Sequence, residues 1–186
     1  MAGPKVVVYG LTTEGYAIAS QMAIKGADVY IIDESTPSAI SLKAEIAKTY
    51  PNVSSLKEDE PLLAMEPIDV AISKAQYLFF TPRIRKTGQD IKTEIHSKFK
   101  DAVTSLKKNS SVIFTLATGF GGNNENISLL EHVTGFQAGK NISYFYYPLE
   151  DLNQQPKIIG SFNGKEDLVL SNLLTNNKKE KKFVGI

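Results

Sequence analysis

The chain has 186 residues, which favours a single domain, and 42% of them are hydrophobic, which is enough for a full core. Its 21 basic and 20 acidic residues give a net charge of +1, so there is no electrostatic reason to expect nucleic acid or an anionic membrane as a partner. The chain contains no cysteine, which excludes disulfides, thiolate metal sites and cysteine nucleophiles. His96 and His132 lie far apart and lack ligand spacing, so no metal site is predicted.

No segment of the sequence is typical of membrane insertion or secretion. No apolar run approaches the roughly 20 residues that are needed to span a bilayer. The N-terminus leads almost directly into a strand-like run and lacks the charged region and apolar core of a signal peptide. We therefore expect a soluble protein of the cytoplasm.

The first half of the chain alternates between strand-like and helix-like segments. Apolar runs predict strands over residues 5–9 and 27–32, and helical spacing predicts a helix over residues 15–25 with Gly26 at its C-cap. Residues 62–73 are ambiguous, because residues 68–72 fit either a helical turn or a short strand. Residues 37–50 predict a second helix, whose apolar stripe is Ala39, Ile40, Leu42, Ile46 and Ala47.

The second half of the chain continues the alternation. Its patterns predict strands over residues 75–81, 111–117, 142–147 and 157–160, and helices over residues 90–107, 126–133 and 165–174. From Thr175 onward the chain is rich in lysine, which is typical of a solvated, frayed end. A docking segment that ends in residues 183–186 is the alternative.

This order of elements predicts an α/β fold with a doubly wound, mostly parallel sheet and helices on both faces. We expect residues 1–174 to form one Rossmann-type domain, and residues 175–186 to form a flexible basic tail. In such sheets, ligands bind outside the carboxyl ends of the strands, so the loops that follow the strands are the places to look for a site.

The loop after the first strand carries the clearest functional pattern. It contains, in order, Gly10, Leu11, Thr12, Thr13, Glu14 and Gly15. In a dinucleotide-binding fingerprint, three glycines allow the tight turn, the approach of the pyrophosphate and the close packing of helix on strand. The first and third glycines are present here, and Thr12 stands at the second, where its side chain narrows the approach although its hydroxyl can donate a hydrogen bond. Glu14 suits the helix dipole but repels a phosphate.

Asp33 ends the second predicted strand about 20 residues after the loop, where a carboxylate accepts hydrogen bonds from both ribose hydroxyls of a dinucleotide. A carboxylate at this position also disfavours the extra phosphate of NADP. The alternative is that Asp33 only ends the strand or caps the next segment. Taken with the loop, Asp33 predicts NAD binding, in the weak range because the fingerprint is altered.

Three basic residues, Arg83, Arg85 and Lys86, follow the strand end at Thr81 and Pro82. Because they follow the carboxyl end of a predicted parallel strand, they could face a phosphate. They could equally form a solvated loop, an interpretation that we favour slightly.

The chain resembles the N-terminal NAD-binding domain of the UDP-glucose/GDP-mannose dehydrogenases, which oxidise nucleotide sugars to uronic acids. Five segments between Lys5 and Leu174 carry the resemblance in the same order along the chain. They are residues 6–11 followed by Gly15, Thr81-Pro82 with Gly88, residues 130–136 with Gly139, residues 147–150, and residues 156–160. The resemblance implies a cofactor site made by the loop from Gly10 to Gly15 together with Asp33, Thr81, Pro82 and Thr118.

The sequence departs from this family where the chemistry takes place. The glutamate-serine-threonine run that helps to order catalytic water aligns with Thr115, Leu116 and Ala117, and Thr118 is the nearest hydroxyl, one position out of register. The family's substrate loop is reduced here to residues 151–155. The family's catalytic cysteine lies in a second domain, and this chain has no cysteine, so covalent thiohemiacetal chemistry cannot occur on it. No catalytic residue is predicted.

Three functions fit these observations. In the first, the chain is an NAD(H)-binding domain that has no catalysis of its own. In the second, it is the cofactor half of a split dehydrogenase whose catalytic half lies on another chain. In the third, it is a structural or interaction module that has lost the cofactor. A fold alone cannot choose between them. We rank the first function highest, the third next and the second last, and we lean slightly toward a small homo-oligomer.

Overall fold

The structure is a computed structural model that describes residues 3–59, 63–149, 156–175 and 181–186. Within these ranges the strands are β1 Lys5–Tyr9, β2 Asp28–Ile32, β3 Ser38–Leu42, β4 Met65–Pro67, β5 Tyr77–Phe80, β6 Ser111–Phe114, β7 Ser143–Tyr146, β8 Ile158–Ser161 and β9 Lys182–Gly185. The helices are α1 Thr13–Ile24, α2 Ala44–Thr49, α3 Val53–Asp59, α4 Ile68–Lys74, α5 Asp90–Val103, α6 Gly122–Thr134 and α7 Leu168–Leu174.

All the strands of the described residues belong to one sheet, in the order β4-β3-β2-β1-β5-β6-β7-β8-β9. The five central strands, β2, β1, β5, β6 and β7, run parallel. They are nearly continuous apolar runs because helices cover both faces. Alternate residues of β1 feed two separate cores: Val6 and Val8 pack with α1 and α7, whereas Val7 and Tyr9 pack with α4, α5 and α6. The predicted α/β class, with a doubly wound and mostly parallel sheet, is confirmed.

The predicted helix over residues 37–50 is wrong in its first half. Residues 38–42 form β3, which pairs antiparallel with β2, and only Ala44–Thr49 is helical. Ala39, Ile40 and Leu42 fit a helical stripe, but in a strand they fill both cores: Ala39 lies on one face of the sheet, and Ile40 and Leu42 lie on the other. Strand pairing satisfies the backbone of this segment and buries its apolar side chains at the same time, so tertiary context overrides the helical pattern.

The ambiguity over residues 68–72 is resolved in favour of a helix, because α4 covers Ile68–Lys74. A short strand, β4, precedes it and pairs antiparallel with β3. The central parallel strands end earlier than predicted, at Phe80 and Phe114. The hydroxyls of the next residues, Thr81 and Thr115, bond to backbone carbonyls of neighbouring strands.

The C-terminal residues also differ from the frayed tail that the sequence predicted. Lys182–Gly185 forms β9, which pairs parallel with β8, and Phe183 packs edge-on against Phe145. β9 is an edge strand of the sheet. Lys178 and Lys179 lie outside the described residues.

Candidate functional site

The sheet order reverses at β1, because β1 lies between β2 on one side and β5 on the other. In an open parallel sheet, such a switch point opens a crevice at the carboxyl ends of the strands. The β1–α1 loop from Gly10 to Thr12 and the segment that begins with Thr81 after β5 meet at this crevice. The topology thus brings together two of the segments that the sequence singled out.

Two glycines of the β1–α1 loop are required by close backbone contacts. Gly10 has φ +122°, and a Cβ added to it would lie 2.0 Å from the carbonyl oxygen of Thr81. A Cβ on Gly15 would lie 2.1 Å from the carbonyl oxygen of Gly10 and 2.6 Å from the Thr81 hydroxyl. No real Cβ tolerates such distances. The first glycine thus permits the turn, and the third lets α1 pack closely against the strand end.

Thr12 is the N-cap of α1, and its hydroxyl is engaged within the protein. The hydroxyl oxygen accepts a hydrogen bond from the N–H of Gly15 at 3.0 Å and donates to the carbonyl oxygen of Thr81 at 3.2 Å. In this conformation the hydroxyl proton is already used, so it is not available to donate to a phosphate. Two first-turn amides of α1, those of Thr13 and Glu14, have no acceptor among the described residues. They are the donors that the helix still offers to an anion.

Thr81 holds the two loops together from inside. It is 3% exposed, and its hydroxyl donates toward the carbonyl oxygens of Tyr9 at 3.2 Å and Gly10 at 3.3 Å. Its N–H also donates to the Tyr9 carbonyl oxygen at 2.9 Å. Pro82 follows and is also buried. The Thr81 side chain thus anchors the crevice wall and does not present its hydroxyl to solvent.

Asp33 lies on the β2 side of the crevice, at the end of β2 as the sequence predicted. It lines a small polar cavity of about 90 Å³, whose other lining residues are Gly10, Leu11, Glu34, Ser35, Arg83 and Arg85. The Asp33 side chain is half-buried and accepts one hydrogen bond, from the N–H of Ser35 at 3.1 Å. One carboxylate oxygen therefore caps the turn to β3, which is the alternative role that the sequence left open for Asp33. The second oxygen has no partner among the described residues.

A cluster of charged groups fixes the loop that carries Arg83 and Arg85. The Lys98 ammonium lies 2.7 Å from Glu34 and 3.0 Å from Glu94, and it also bonds the carbonyl oxygen of Arg83. The N–H groups of Arg85 and Lys86 donate to the Glu94 carboxylate at 3.0 and 2.7 Å. The spacing of Glu94 and Lys98, four residues apart on a predicted helix, was a visible signal of their pairing. Their link to Glu34 was not visible in the sequence.

These contacts also set the charge state of Glu94. The hydrogen bond from the Lys86 N–H is the main cause that lowers the pKa of the Glu94 carboxyl to about 2. Burial opposes this shift, whereas Lys98 and the N–H of Arg85 add to it. Glu94 therefore stays ionised and holds the loop at any physiological pH.

A second cavity, of about 220 Å³, lies on the opposite side of the β1–α1 loop. Its lining residues are Thr12, Glu14, Thr81, Pro82, Thr115, Leu116 and Leu149. Thr115 aligns with the family's water-ordering run, but its hydroxyl donates to the Phe80 carbonyl oxygen at 2.6 Å and is buried. The Glu14 side chain is exposed beside this cavity and contributes negative charge where a phosphate would approach.

Thr118 lies apart from the other predicted cofactor residues. It lines a cavity of about 570 Å³ between the N-terminal parts of α5 and α6, together with Phe114 and the exposed Phe120. Its N–H donates to the Tyr146 hydroxyl at 3.2 Å. The lining of the cavities at Asp33 and Thr12 includes neither Thr118 nor its neighbours 117–122.

Glu150 and the shortened loop at residues 151–155 lie outside the described residues. Within the part of the chain that the structure describes, no group of three His, Asp or Glu side chains is arranged to hold a metal ion. None of the described helices is long and apolar enough to cross a bilayer.

Comparison with known proteins gives structural matches only. No protein-family model matches the chain, and no curated protein matches it. Among solved structures, it is similar to GDP-mannose dehydrogenase from Pseudomonas aeruginosa, at 16% identity and a TM-score of 0.62 over 91% of this chain and 43% of that one. It is similar to UDP-D-ManNAc dehydrogenase from Pyrococcus horikoshii, at 17% identity and a TM-score of 0.61 over 84% of this chain and 40% of that one.

An imine reductase from Aspergillus terreus, solved in complex with NADPH4, matches 100% of this chain and 55% of its own, at 14% identity and a TM-score of 0.54. At such identities the matches establish the fold: the chain has the Rossmann-type fold found in these dehydrogenases and reductases. The family resemblance seen in the sequence is thereby confirmed at the level of fold. The chain spans 43% and 40% of the length of the two sugar dehydrogenases.

Proposed function

We propose that the chain is a cytoplasmic dinucleotide-binding domain that holds the adenosine half of NAD(H) and performs no catalysis on its own. The observation that carries this proposal is the position of Asp33, which ends β2 and lines one cavity with Gly10 and Leu11 of the β1–α1 loop. A carboxylate beside that loop is the group that accepts hydrogen bonds from the ribose hydroxyls of a dinucleotide.

The β1–α1 loop then takes the pyrophosphate. The N–H groups of Thr13 and Glu14 donate to it at the positive end of the α1 dipole. Two features weaken this contact, since the Thr12 hydroxyl already uses the N–H of Gly15 and the Glu14 carboxylate repels phosphate. We therefore expect a Kd for NAD between micromolar and millimolar, roughly −8 to −4 kcal/mol.

The remaining predicted cofactor residues have separate roles in this proposal. Thr81 and Pro82 form the crevice wall, and Thr118 reaches the cofactor only if its nicotinamide end extends past β6. Catalysis is not assigned, because the chain has no cysteine and the Thr115 hydroxyl is spent on a backbone carbonyl. The cofactor half of a split sugar dehydrogenase remains an alternative, supported by the fact that the chain spans 43% of the GDP-mannose dehydrogenase.

A second candidate is an interaction module that no longer binds a cofactor. The bridge from the Thr12 hydroxyl to Gly15 and Thr81 favours it, because this bridge takes up one of the amides that would contact a phosphate. In that case the loop is a structural joint between β1 and β5.

Isothermal titration of the full chain with NAD and NADH separates the two candidates. The proposal predicts a saturable signal below millimolar concentration, and Asp33→Ala should weaken it at least about tenfold, since hydrogen bonds to a charged group contribute about 1.5–3 kcal/mol. Asp28→Ala is the matched control, because it removes a carboxylate from the opposite end of the same strand. A flat titration at millimolar NAD would reject the proposal and leave the interaction module.

A further inference from the structure

Two arginines face the candidate ribose site from the loop after β5. Arg83 and Arg85 line the same small cavity as Asp33, and both are exposed. Among the described residues, neither guanidinium group makes an ion pair or a side-chain hydrogen bond. Two cations without carboxylate partners thus lie at the edge of a polar cavity.

The backbone of this loop is fixed even though the two side chains are free. The N–H of Arg83 donates to Glu34 at 3.2 Å, and the N–H of Arg85 donates to Glu94 at 3.0 Å. Lys98 pairs with both carboxylates and is itself largely buried. The arginines are therefore carried on an anchored loop, which lowers the entropic cost of using them to bind a ligand.

Two of the three carboxylates of this region are already paired with another cation, Lys98. Glu34 and Glu94 are both paired with Lys98 and with backbone N–H groups. Asp33 has no ion-pair partner among the described residues, and it is the one carboxylate at the cavity that is left to oppose Arg83 and Arg85. The formal charges of these six side chains sum to zero, but the two guanidinium groups are the cations that have no partner among the described residues, and they can offset the repulsion between Asp33 and an added phosphate.

We propose that Arg83 and Arg85 bind a phosphate on the 2′-oxygen of the adenosine ribose, so that the domain accepts NADP(H) as well as NAD(H). This inference rests on the proposed dinucleotide function and deepens it. A guanidinium group matches the geometry of phosphate with two parallel N–H donors, and an arginine near the end of β2 is a known means of accommodating the 2′-phosphate. Asp33 binds the ribose when the 2′-hydroxyl is free, and the arginines bind the phosphate when it is present.

Titration of NAD and NADP into the full chain tests this inference. We expect the two Kd values to lie within about tenfold of each other at low salt, and added salt should weaken NADP binding more than NAD binding. The preference ratio is the association constant of NADP divided by that of NAD. In the double variant Arg83→Ala/Arg85→Ala this ratio should fall at least about tenfold, the scale of a lost charge-assisted contact. Thermal unfolding of the variant checks that its fold is retained.

Lys86→Ala is the matched control, because it removes a cation from the same loop at a residue that does not line the cavity. An equal drop of the ratio in Lys86→Ala would overturn the inference, since it would reflect general charge and not the two arginines. Binding of NAD with NADP more than about a hundredfold weaker would also overturn it, while leaving the proposed function intact. Absence of NAD binding would remove the proposed function itself.

Discussion

Helices α1 and α6 both begin at the carboxyl edge of the sheet, each after a central parallel strand, but their first turns are built in different ways. The N-cap of α1, Thr12, has extended backbone and bonds to Gly15 and to Thr81 of the next loop. The N-cap of α6, Gly121, has φ +77° and makes no side-chain cap. The first helix start is held by its neighbours, whereas the second depends on the conformational freedom of glycine.

The surroundings of the two loops show the same difference. A Cβ on Gly10 or Gly15 would collide with backbone atoms, but a Cβ on Gly119 or Gly121 would meet nothing within 4 Å. The α6 turn also borders the cavity of about 570 Å³ beside the exposed Phe120. The turn from Gly10 to Gly15 is thus interlocked with the segment that begins with Thr81, and we call this contact the interlocked joint. The contacts of such a turn decide how many of its N–H groups remain available to bind an anion.

Alanine substitution at the two turns should give the largest difference. Gly10→Ala combines a positive φ with a backbone collision, so we expect a loss of about 3 kcal/mol or more in the free energy of unfolding, or failure to fold. Gly121→Ala has only the positive φ to overcome, about 1–2 kcal/mol. Urea denaturation measures both values. Equal losses would show that the β1–α1 loop can relax and is not interlocked.

The loop after β5 is part of the interlocked joint, and the Glu94 carboxylate anchors it. We expect Glu94 to lose its stabilising effect at acid pH. Glu94 has a pKa of about 2 in the folded protein against a usual 4.5. A lowered folded-state pKa contributes stability that is complete above the usual value and is lost as the pH falls toward 2. The difference in unfolding free energy between the native chain and Glu94→Gln should therefore shrink between about pH 4.5 and pH 2.

The exposed Glu166 gives the control for this experiment, because its side chain makes no hydrogen bond or ion pair with the described residues. Glu166→Gln should track the native chain across the same range. A Glu94→Gln variant with the same acid profile as the native chain would mean that Glu94 does not anchor the loop.

The sequence predicted the central strands that lead into these turns better than it predicted the contacts between elements. The apolar runs of β1, β5 and β6 are long enough to define parallel strands without any neighbour. β3 was missed because Ala39, Ile40 and Leu42 fit a helical stripe as well as a strand, and only pairing with β2 decides between them. β9 was missed as an element because Lys178, Lys179 and Lys181 precede it and Lys182 begins it, while its strand form depends on pairing with β8.

The site follows the same rule. Gly10, Gly15 and Asp33 could be singled out because their roles follow from local sequence and spacing. The bond of the Thr12 hydroxyl to Thr81 joins residues 69 positions apart, and the salt bridge of Glu34 to Lys98 spans 64. Such partners depend on the order of strands in the sheet, so no local pattern reveals that the Thr12 hydroxyl is already used.

Removal of the Thr12 side chain should strengthen NAD binding with little loss of stability. Thr12→Gly frees the N–H of Gly15 for a phosphate, so we expect NAD to bind about three- to tenfold tighter, the worth of one additional hydrogen bond. The loss of the cap should cost only a few tenths of a kcal/mol, because glycine is tolerated at N-caps. Isothermal titration and urea denaturation measure the two effects separately.

Asp167→Gly is the control, because it removes the side-chain N-cap of another described helix, α7. It should lower stability without changing the affinity for NAD. If Thr12→Gly leaves NAD binding unchanged or weaker, the side chain is not the obstacle, and the altered fingerprint has another cause.

The smallest effect should come from the acidic residues in the first turns of α1 and α6. Glu14 and Glu125 occupy comparable first-turn positions in the two helices and interact favourably with their dipoles, typically by about 0.3–1 kcal/mol. Both Glu14→Gln and Glu125→Gln should lower stability within this range, with Glu125 also losing its pair with Lys92 at 2.6 Å. Only Glu14→Gln should strengthen NAD binding, by about two- to fivefold, because only its charge lies where the pyrophosphate approaches. If Glu125→Gln changed NAD affinity as much as Glu14→Gln, NAD binding would respond to the total charge of this edge of the sheet and not to the first turn of α1. That result would contradict the proposal that the pyrophosphate binds at the β1–α1 loop.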